Sequence, residues 1–112
     1  MNIVNLTPHD IVVMAEDRTE LRRYPASGTI ARAASKTEIV GELDGVPVAR
    51  QQFGEVSGLP DPEPGTVYLV SLVVGQAMKG QRDDLYGPDT SPDGAVRDAE
   101  GRIVGTRRLV KY

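Results

Sequence analysis

The segment Val67-Tyr68-Leu69-Val70-Ser71-Leu72-Val73-Val74 is the only long apolar run in the chain, and it decides the fold class. Residues 67–70 are predicted to form a buried central strand, since a short continuous apolar run is typical of a strand covered on both faces. Ser71 can cap a short helix of residues 72–79, which Gly80 would end. The alternative is one longer strand through Val74, but the composition of residues 75–79 is poor for a strand.

Short β-prone runs separated by turn signals lie on both sides of this segment. They cover residues 3–6, 11–14, 19–24 (with Leu21 inward), 29–33, 37–43 and 46–50, and a hairpin covers residues 95–110. Asp44-Gly45 is the strongest hairpin signal, because both residues tolerate positive φ, and Pro47 marks an edge strand or a bulge. Residues 54–65 are predicted to form a loop stiffened by prolines.

These elements together predict a mainly β fold. The expected architecture is a small single-domain β-sandwich or barrel, residues 1–112, with one short helix (about residues 72–79) and a C-terminal hairpin. A chain of 112 residues is long enough to bury a core without disulfides.

The composition argues against several classes of protein. The chain has no cysteine, so it has no disulfide, thiolate metal site or thiol nucleophile. A net charge of -3 argues against non-specific binding to nucleic acid, which depends on a basic surface. The N-terminus lacks the basic and apolar segments of a signal peptide, and no apolar run is long enough to span a bilayer. We therefore expect a soluble cytoplasmic protein with no membrane association.

Catalytic signals are weak, and the sequence favours a protein that is not an enzyme. His9 is the only imidazole, and a triad of Ser27 or Ser71 with His9 and an aspartate is arithmetically conceivable. Neither serine lies in a Gly-x-Ser-x-Gly elbow, however. The structural interpretation of Thr7 and His9 is that their side chains hold a turn over residues 5–10 by hydrogen bonds.

Signals for a metal or cofactor are weaker still. With one histidine and no cysteine, only carboxylates remain as ligands, and the spacing of Asp83, Asp84, Asp89 and Asp93 does not match a calcium loop. The glycines form neither a Gly-x-x-x-x-Gly-Lys-Ser/Thr nor a Gly-x-Gly-x-x-Gly motif. No metal and no cofactor is predicted.

The strongest site candidate is an arginine–carboxylate cluster. Arg82 is followed by two aspartates, and arginines on an earlier strand and on the final hairpin could add forked donors for an anion. The alternative is a surface ion-pair network with no ligand. The predicted ligand-binding residues are Thr7, His9, Arg32, Arg82, Asp83, Asp84 and Arg97.

Several motifs resemble a family of short uncharacterised proteins from bacteriophages and actinobacteria. These motifs are Asn5-Leu6-Thr7-Pro8-His9, residues 25–32, Gly58-Leu59-Pro60, residues 67–71, Arg82-Asp83-Asp84-Leu85 and residues 96–105. The similarity covers nearly the whole chain. It implies a small phage-type accessory protein that acts on host defence, or a minor structural component. The family has no established activity, so it implies no catalytic residue.

Two functional hypotheses follow. In the first, the protein is a non-enzymatic binder that sequesters a small anionic, nucleotide-like host signal in the host cytoplasm, with a pocket that a homo-oligomer interface could complete. In the second, it is a structural or protein-interaction module of a phage particle or host-takeover complex. An enzyme is the third choice.

Overall fold

A computed structural model describes all 112 residues of the chain, which form ten strands and one helix. In chain order these are β1 (Asn2–Asn5), β2 (Ile11–Met14), β3 (Glu20–Tyr24), β4 (Arg32–Leu43), β5 (Val46–Ser57), β6 (Thr66–Leu69), α1 (Leu72–Ala77), β7 (Leu85–Pro88), β8 (Ala95–Arg97), β9 (Ile103–Thr106) and β10 (Leu109–Lys111). The predicted mainly β fold with one short helix is confirmed.

The strands form three sheets. The first sheet has the order β1-β6-β7-β10, and β6 runs parallel to both of its neighbours. The second has the order β3-β2-β9-β8, and β4 and β5 form a two-stranded sheet by themselves. Both four-stranded sheets are open at their edges, so the strands do not close into a barrel. The predicted central strand is confirmed as β6, which lies between β1 and β7; it begins and ends one residue earlier than predicted, at Thr66 and Leu69.

The helix begins where the sequence predicted. The Ser71 hydroxyl accepts a hydrogen bond from the Val74 N–H at 3.4 Å, as an N-cap does. The helix ends at Ala77, two residues earlier than predicted, because Met78 already has a non-helical conformation and Gly80 follows at a φ of 82°. With six residues, it is too short to cross a bilayer.

The C-terminal hairpin is present but shorter than predicted. Strands β8 and β9 pair antiparallel, with Ala95 opposite Thr106. The chain then crosses to the first sheet, where β10 pairs with β7. The last residues of the predicted hairpin, 109 and 110, therefore belong to the first sheet instead.

The hairpin predicted at Asp44-Gly45 is confirmed, and it is much longer than expected. Asp44 and Gly45 have φ angles of 54° and 79°, and Leu43 lies opposite Val46. Strand β5 continues to Ser57, so the loop predicted for residues 54–65 begins only after it; a bulge between Ala33 and Ser35 lets the pairing continue. We call β4 and β5 together the arm.

The core lies between the first sheet and the helix. Its buried members are Leu6, Ala31, Tyr68, Val70, Val74 and Leu85. The prediction that Leu21 points inward is wrong, since its side chain is 63% exposed on β3, which is an edge strand. The core is thus built around β6, and the outer strands contribute little to it.

Candidate functional site

The surface has two main cavities, and Tyr112 lines both of them. The first, which we call the inter-sheet cleft, has a volume of about 470 Å³ and receives residues from both four-stranded sheets. The second, which we call the basic cleft, is more open and has a volume of about 650 Å³; its lining includes Lys79, Gln81, Arg82, Asp83 and Lys111. Both volumes are in the range of small-molecule sites.

The inter-sheet cleft forms where parallel strands end. Residues just after the carboxyl ends of β1 and β6, and the last residue of β7, line it, and strand β9 supplies the opposite wall. Its polar members include Thr7, His9, Ser71, Thr90 and Thr106, and Ile11, Val12 and Val70 are among its apolar ones. The cleft is therefore a partly apolar site with hydroxyl groups at its rim.

A buried asparagine shapes one wall of this cleft. The Asn5 side chain is 2% exposed, and its amide nitrogen donates to the carbonyl oxygens of His9 and Tyr24 at 2.8 and 2.9 Å. Its Oδ1 accepts from the Thr7 N–H at 2.9 Å, and the Thr7 hydroxyl lies 2.7 Å away. The Thr7 side chain thus helps to hold the turn, as the sequence predicted. His9 contributes only its backbone carbonyl, and its exposed imidazole makes no hydrogen bond.

The charge of the inter-sheet cleft does not suit an anion. No lysine or arginine lines it. Asp10 lies at its edge, and the Ala26 backbone N–H, followed by the Arg23 side chain, lowers the pKa of the Asp10 carboxyl. Since this carboxylate is ionised at neutral pH, an uncharged or cationic group is favoured beside it.

A second polar network supports the opposite wall. The hydroxyl of Thr106, which is 2% exposed, lies 2.8 Å from the carbonyl oxygens of both Asp89 and Arg108. The Asp89 carboxylate accepts from the Ser91 N–H at 2.9 Å and from Arg108 Nε at 2.6 Å. These hydrogen bonds, from Ser91 first and Arg108 second, lower the pKa of Asp89 to about 2.

This lowered pKa predicts acid lability. Because the folded pKa lies below the ordinary value of 3.8, the Asp89 carboxylate stabilises the fold above that pH, and the contribution is lost as the pH falls toward about 2. We expect Asp89→Asn to lower the melting temperature at neutral pH. The melting temperature of this variant should also decrease less than that of the wild type as the pH falls from 3.8 to about 2. Asp93→Asn, at an exposed aspartate of the same loop without a side-chain hydrogen bond, is the control. An unchanged profile for Asp89→Asn would contradict the assignment.

The basic cleft concentrates cationic side chains. Lys79, Arg82 and Lys111 line it, against a single carboxylate, Asp83. Lys111 comes from β10, where its Nζ lies 5.9 Å from the centre of the Tyr86 ring. The other two follow α1, so the cleft is formed by segments that are distant in sequence.

Arg82 is held in place by Asp84. Its Nε and Nη2 atoms each lie 2.8 Å from one oxygen of the Asp84 carboxylate, and the two side chains are only 12% and 11% exposed. Such a forked pair fixes the plane of the guanidinium group. The hydrogen bonds from Arg82 lower the pKa of Asp84, and the same contacts raise the pKa of Arg82. Arg82 therefore keeps a fixed positive charge in the cleft, with its Nη1 unpaired.

Tyr112 lines both clefts, and two glycines leave room for its ring. A Cβ on Gly75 would lie 2.3 Å from Tyr112 Cδ2, and one on Gly87 would lie 2.4 Å from Tyr112 Oη. Burial raises the pKa of the tyrosine hydroxyl. The last side chain of the chain is thus packed against α1 and β7.

The structure divides the seven predicted site residues into groups. Arg82, Asp83 and Asp84 lie together at the basic cleft, whereas Thr7 and His9 line the inter-sheet cleft. Arg32 begins the arm and Arg97 ends β8, where its Nη1 donates to the Gly101 carbonyl at 2.6 Å; both are exposed and line neither cleft. The expected convergence of the three arginines is therefore not formed within one chain, because they lie on three different sheets or their flanks.

Sequence reasoning missed the two lysines of the basic cleft. The available signal was their rarity, since the chain has only three lysines among its thirteen basic residues. Lys79 and Lys111 lie 32 positions apart in the chain, and only the pairing of β10 with β7 shows that they share a cleft. The four aspartates considered as metal ligands do not form a cluster that could hold a metal ion.

Comparisons with known proteins do not identify a family. No protein-family model matches the chain, and no curated protein and no solved structure is significantly similar to it. The resemblance to the phage and actinobacterial family therefore remains a prediction from motifs, and the function has to be argued from the geometry of the two clefts.

Proposed function

We propose that this protein is a non-enzymatic binder of a small anionic, nucleotide-like ligand, and that the basic cleft is the binding site. The observation that carries the proposal is the convergence of Lys79, Arg82 and Lys111 on one cavity, in a chain whose net charge is -3. Asp83 lines the cavity and Asp84 is paired with Arg82, so three cations face two carboxylates and a positive charge remains that favours an anion.

The fixed guanidinium group supports recognition of a phosphate. The Arg82 fork is oriented by Asp84, so little side-chain entropy is lost when Nη1 donates to an incoming oxygen. The two lysines can follow the ligand as mobile point charges. The Tyr112 ring, which also lines the cleft, offers an apolar surface for a base or sugar.

The cleft supplies no group for general acid–base chemistry near neutral pH. The single histidine lines the other cleft, and no histidine lies among the residues of the basic cleft. Capture of the ligand without turnover is therefore favoured over catalysis. Together with the motif resemblance, this supports a phage-type accessory role in which the protein sequesters a host signalling nucleotide in the host cytoplasm.

The test is binding of adenosine, AMP and ADP by isothermal titration calorimetry. We expect AMP and ADP to bind more tightly than adenosine, and Lys79→Ala and Lys111→Ala each to weaken AMP binding about tenfold, as the loss of one charge-assisted hydrogen bond predicts. Arg22→Ala, at an exposed cation of β3 that lines neither cleft, is the matched control. Equal affinity for adenosine and AMP, or no binding of any of them, would contradict an anion site.

Arg82→Ala is a poor first variant for this experiment. It would leave the nearly buried Asp84 carboxylate without its partner and so destabilise the fold. Arg82→Lys keeps the charge and loses the fork, so it should retain the fold and weaken AMP binding.

The second candidate function, a protein-interaction module, is favoured by the arm. Two strands of 12 residues each extend with few buried side chains. If a partner protein co-purifies and none of the three probe compounds binds, the interaction role is the better description.

A further inference from the structure

We propose that the outer edge of β4 pairs antiparallel with β4 of a second copy of this chain, so that two arms form one four-stranded sheet. The inference is independent of the proposed anion site, because the arm lines neither cleft. It rests on the exposure of the arm, on its free edge and on the order of charges along β4.

The chain is more extended than a compact monomer of its size. Its radius of gyration is 16.3 Å, compared with about 13 Å for a compact domain of this length. Its accessible surface is 7554 Å², compared with about 6,000 Å² for a monomer of this mass. The excess accessible surface is of the size that a protein interface removes from solvent.

The arm accounts for much of the exposed apolar surface. Five of its large apolar side chains are exposed, namely Ile39, Val40, Leu43, Val46 and Phe53, with values from 38% for Phe53 to 70% for Leu43. A two-stranded sheet is marginally stable alone in water, and further strands with an apolar face are needed to stabilise it. The arm therefore lacks the partner strands that would order it.

The two edges of the arm differ in their capacity to pair. Strand β5 carries Pro47, which has no N–H donor, and Arg50 is its only charged residue between Val46 and Phe53. If β5 paired antiparallel with β5 of a second copy and Arg50 lay on the twofold axis, the two Arg50 side chains would lie opposite each other with like charges. Strand β4 has an uninterrupted stretch from Ser35 to Ile39, between the two irregularities of its register.

The charges in this stretch of β4 are complementary to those of the same stretch in a second, antiparallel copy. If Thr37 lies opposite Thr37 of the second copy, then Lys36 lies opposite Glu38 of the second copy, and Glu38 opposite its Lys36. Residues directly opposite in an antiparallel pair point to the same face and interact, so the symmetric pair gains two ion pairs. Within the chain Arg50 lies opposite Glu38. The resulting row of side chains alternates in sign: Arg50, Glu38, then Lys36 of the second copy.

On the other face of the proposed sheet, the same register brings apolar side chains together. Ser35 lies opposite Phe53 within the chain, and it would lie opposite Ile39 of the second copy. The small serine would lie between Phe53 and that isoleucine, so one exposed apolar side chain from each arm shares this row. The partner that best fits this edge is thus a second copy of the chain.

Analytical ultracentrifugation of the full chain and its charge variants tests this proposal. The wild-type chain should sediment as a dimer, with twice the 12.1 kDa mass of the chain. Lys36→Glu and Glu38→Lys should each weaken association about tenfold or more, because each places like charges opposite each other twice. The Lys36→Glu/Glu38→Lys double variant, and an equimolar mixture of the two single variants, should both recover the dimer. Glu16→Lys, in the exposed turn before β3, should leave it unchanged.

A cross-link gives a second, independent readout. Because the chain has no cysteine, Thr37→Cys adds a single thiol that lies on the proposed twofold axis. Mild oxidation should produce a covalent dimer of Thr37→Cys and little of Thr19→Cys, an exposed control between β2 and β3. A wild-type chain that stays monomeric, or a dimer that none of the charge variants weakens, overturns the proposal. So does a mixture of the single variants that fails to associate.

Discussion

Asn5→Ala should lower the free energy of unfolding by about 3 kcal/mol, measured by chemical denaturation, which is a large part of the stability of a domain this size. The Asn5 amide satisfies the carbonyl oxygens of His9 and Tyr24 and the N–H of Thr7, and it is almost fully buried. Alanine would remove the partner of the Thr7 N–H and of the Tyr24 carbonyl, and it would leave the His9 carbonyl with the Thr7 hydroxyl alone. It would also release the end of β1 from the end of β3.

The matched control is Asn2→Ala, on the exposed first residue of the same strand. Its side chain makes no hydrogen bond, so the change should alter stability by no more than about 0.5 kcal/mol. If Asn5→Ala and Asn2→Ala were equally mild, the buried amide network would have no special role in the fold. Asn5→Ala should also loosen the wall of the inter-sheet cleft, because Thr7 and His9 are positioned by this side chain.

Gly87→Ala should cost about 2–3 kcal/mol, through overpacking at a buried position. The added Cβ would lie 2.4 Å from Tyr112 Oη and 2.8 Å from the carbonyl oxygen of Val70. The Tyr112 side chain can move, but the Val70 backbone cannot, because Val70 is fully buried directly after β6 and its N–H donates to the Tyr86 carbonyl. Gly41→Ala is the control, since nothing lies within 4 Å of its Cβ position.

Gly75→Ala separates the role of Tyr112 from that of the backbone. Its three nearest contacts, at 2.3 to 2.6 Å, all belong to the Tyr112 ring. In a Tyr112→Ala background, Gly75→Ala should therefore cost nothing and can even stabilise α1 by up to about 1 kcal/mol through helix propensity. Gly87→Ala should remain destabilising in that background. Equal rescue of both variants would show that the Val70 contact is unimportant.

Local patterns predicted many elements correctly. The apolar run at residues 67–70 became the central strand β6, and Ser71 became the cap of α1. Asp44 and Gly45 adopted the positive φ angles of the predicted turn. These signals depend on backbone sterics and on neighbours within a few positions, so they can be read without the fold.

The candidate site was predicted only in part. Arg82 and Asp84 are two positions apart, and their forked pair is a short-range feature that the sequence indicated. The separation of Thr7 from Arg82 was not predictable, because it depends on which strand ends meet. Leu21 was placed inward on its hydrophobicity alone, yet strand β3 lies at an edge and leaves it in solvent.

The sequence by itself determined the fold class, the main turn and the start of the helix, because each follows from local conformational preferences. Only the tertiary structure decided that β1 pairs with β6, that Lys79 and Lys111 share a cleft, and that the arm extends beyond the core with a free edge. The physical reason is that pairing between distant strands depends on the packing of the whole chain around Leu6, Tyr68 and Leu85. No short stretch of residues specifies that packing.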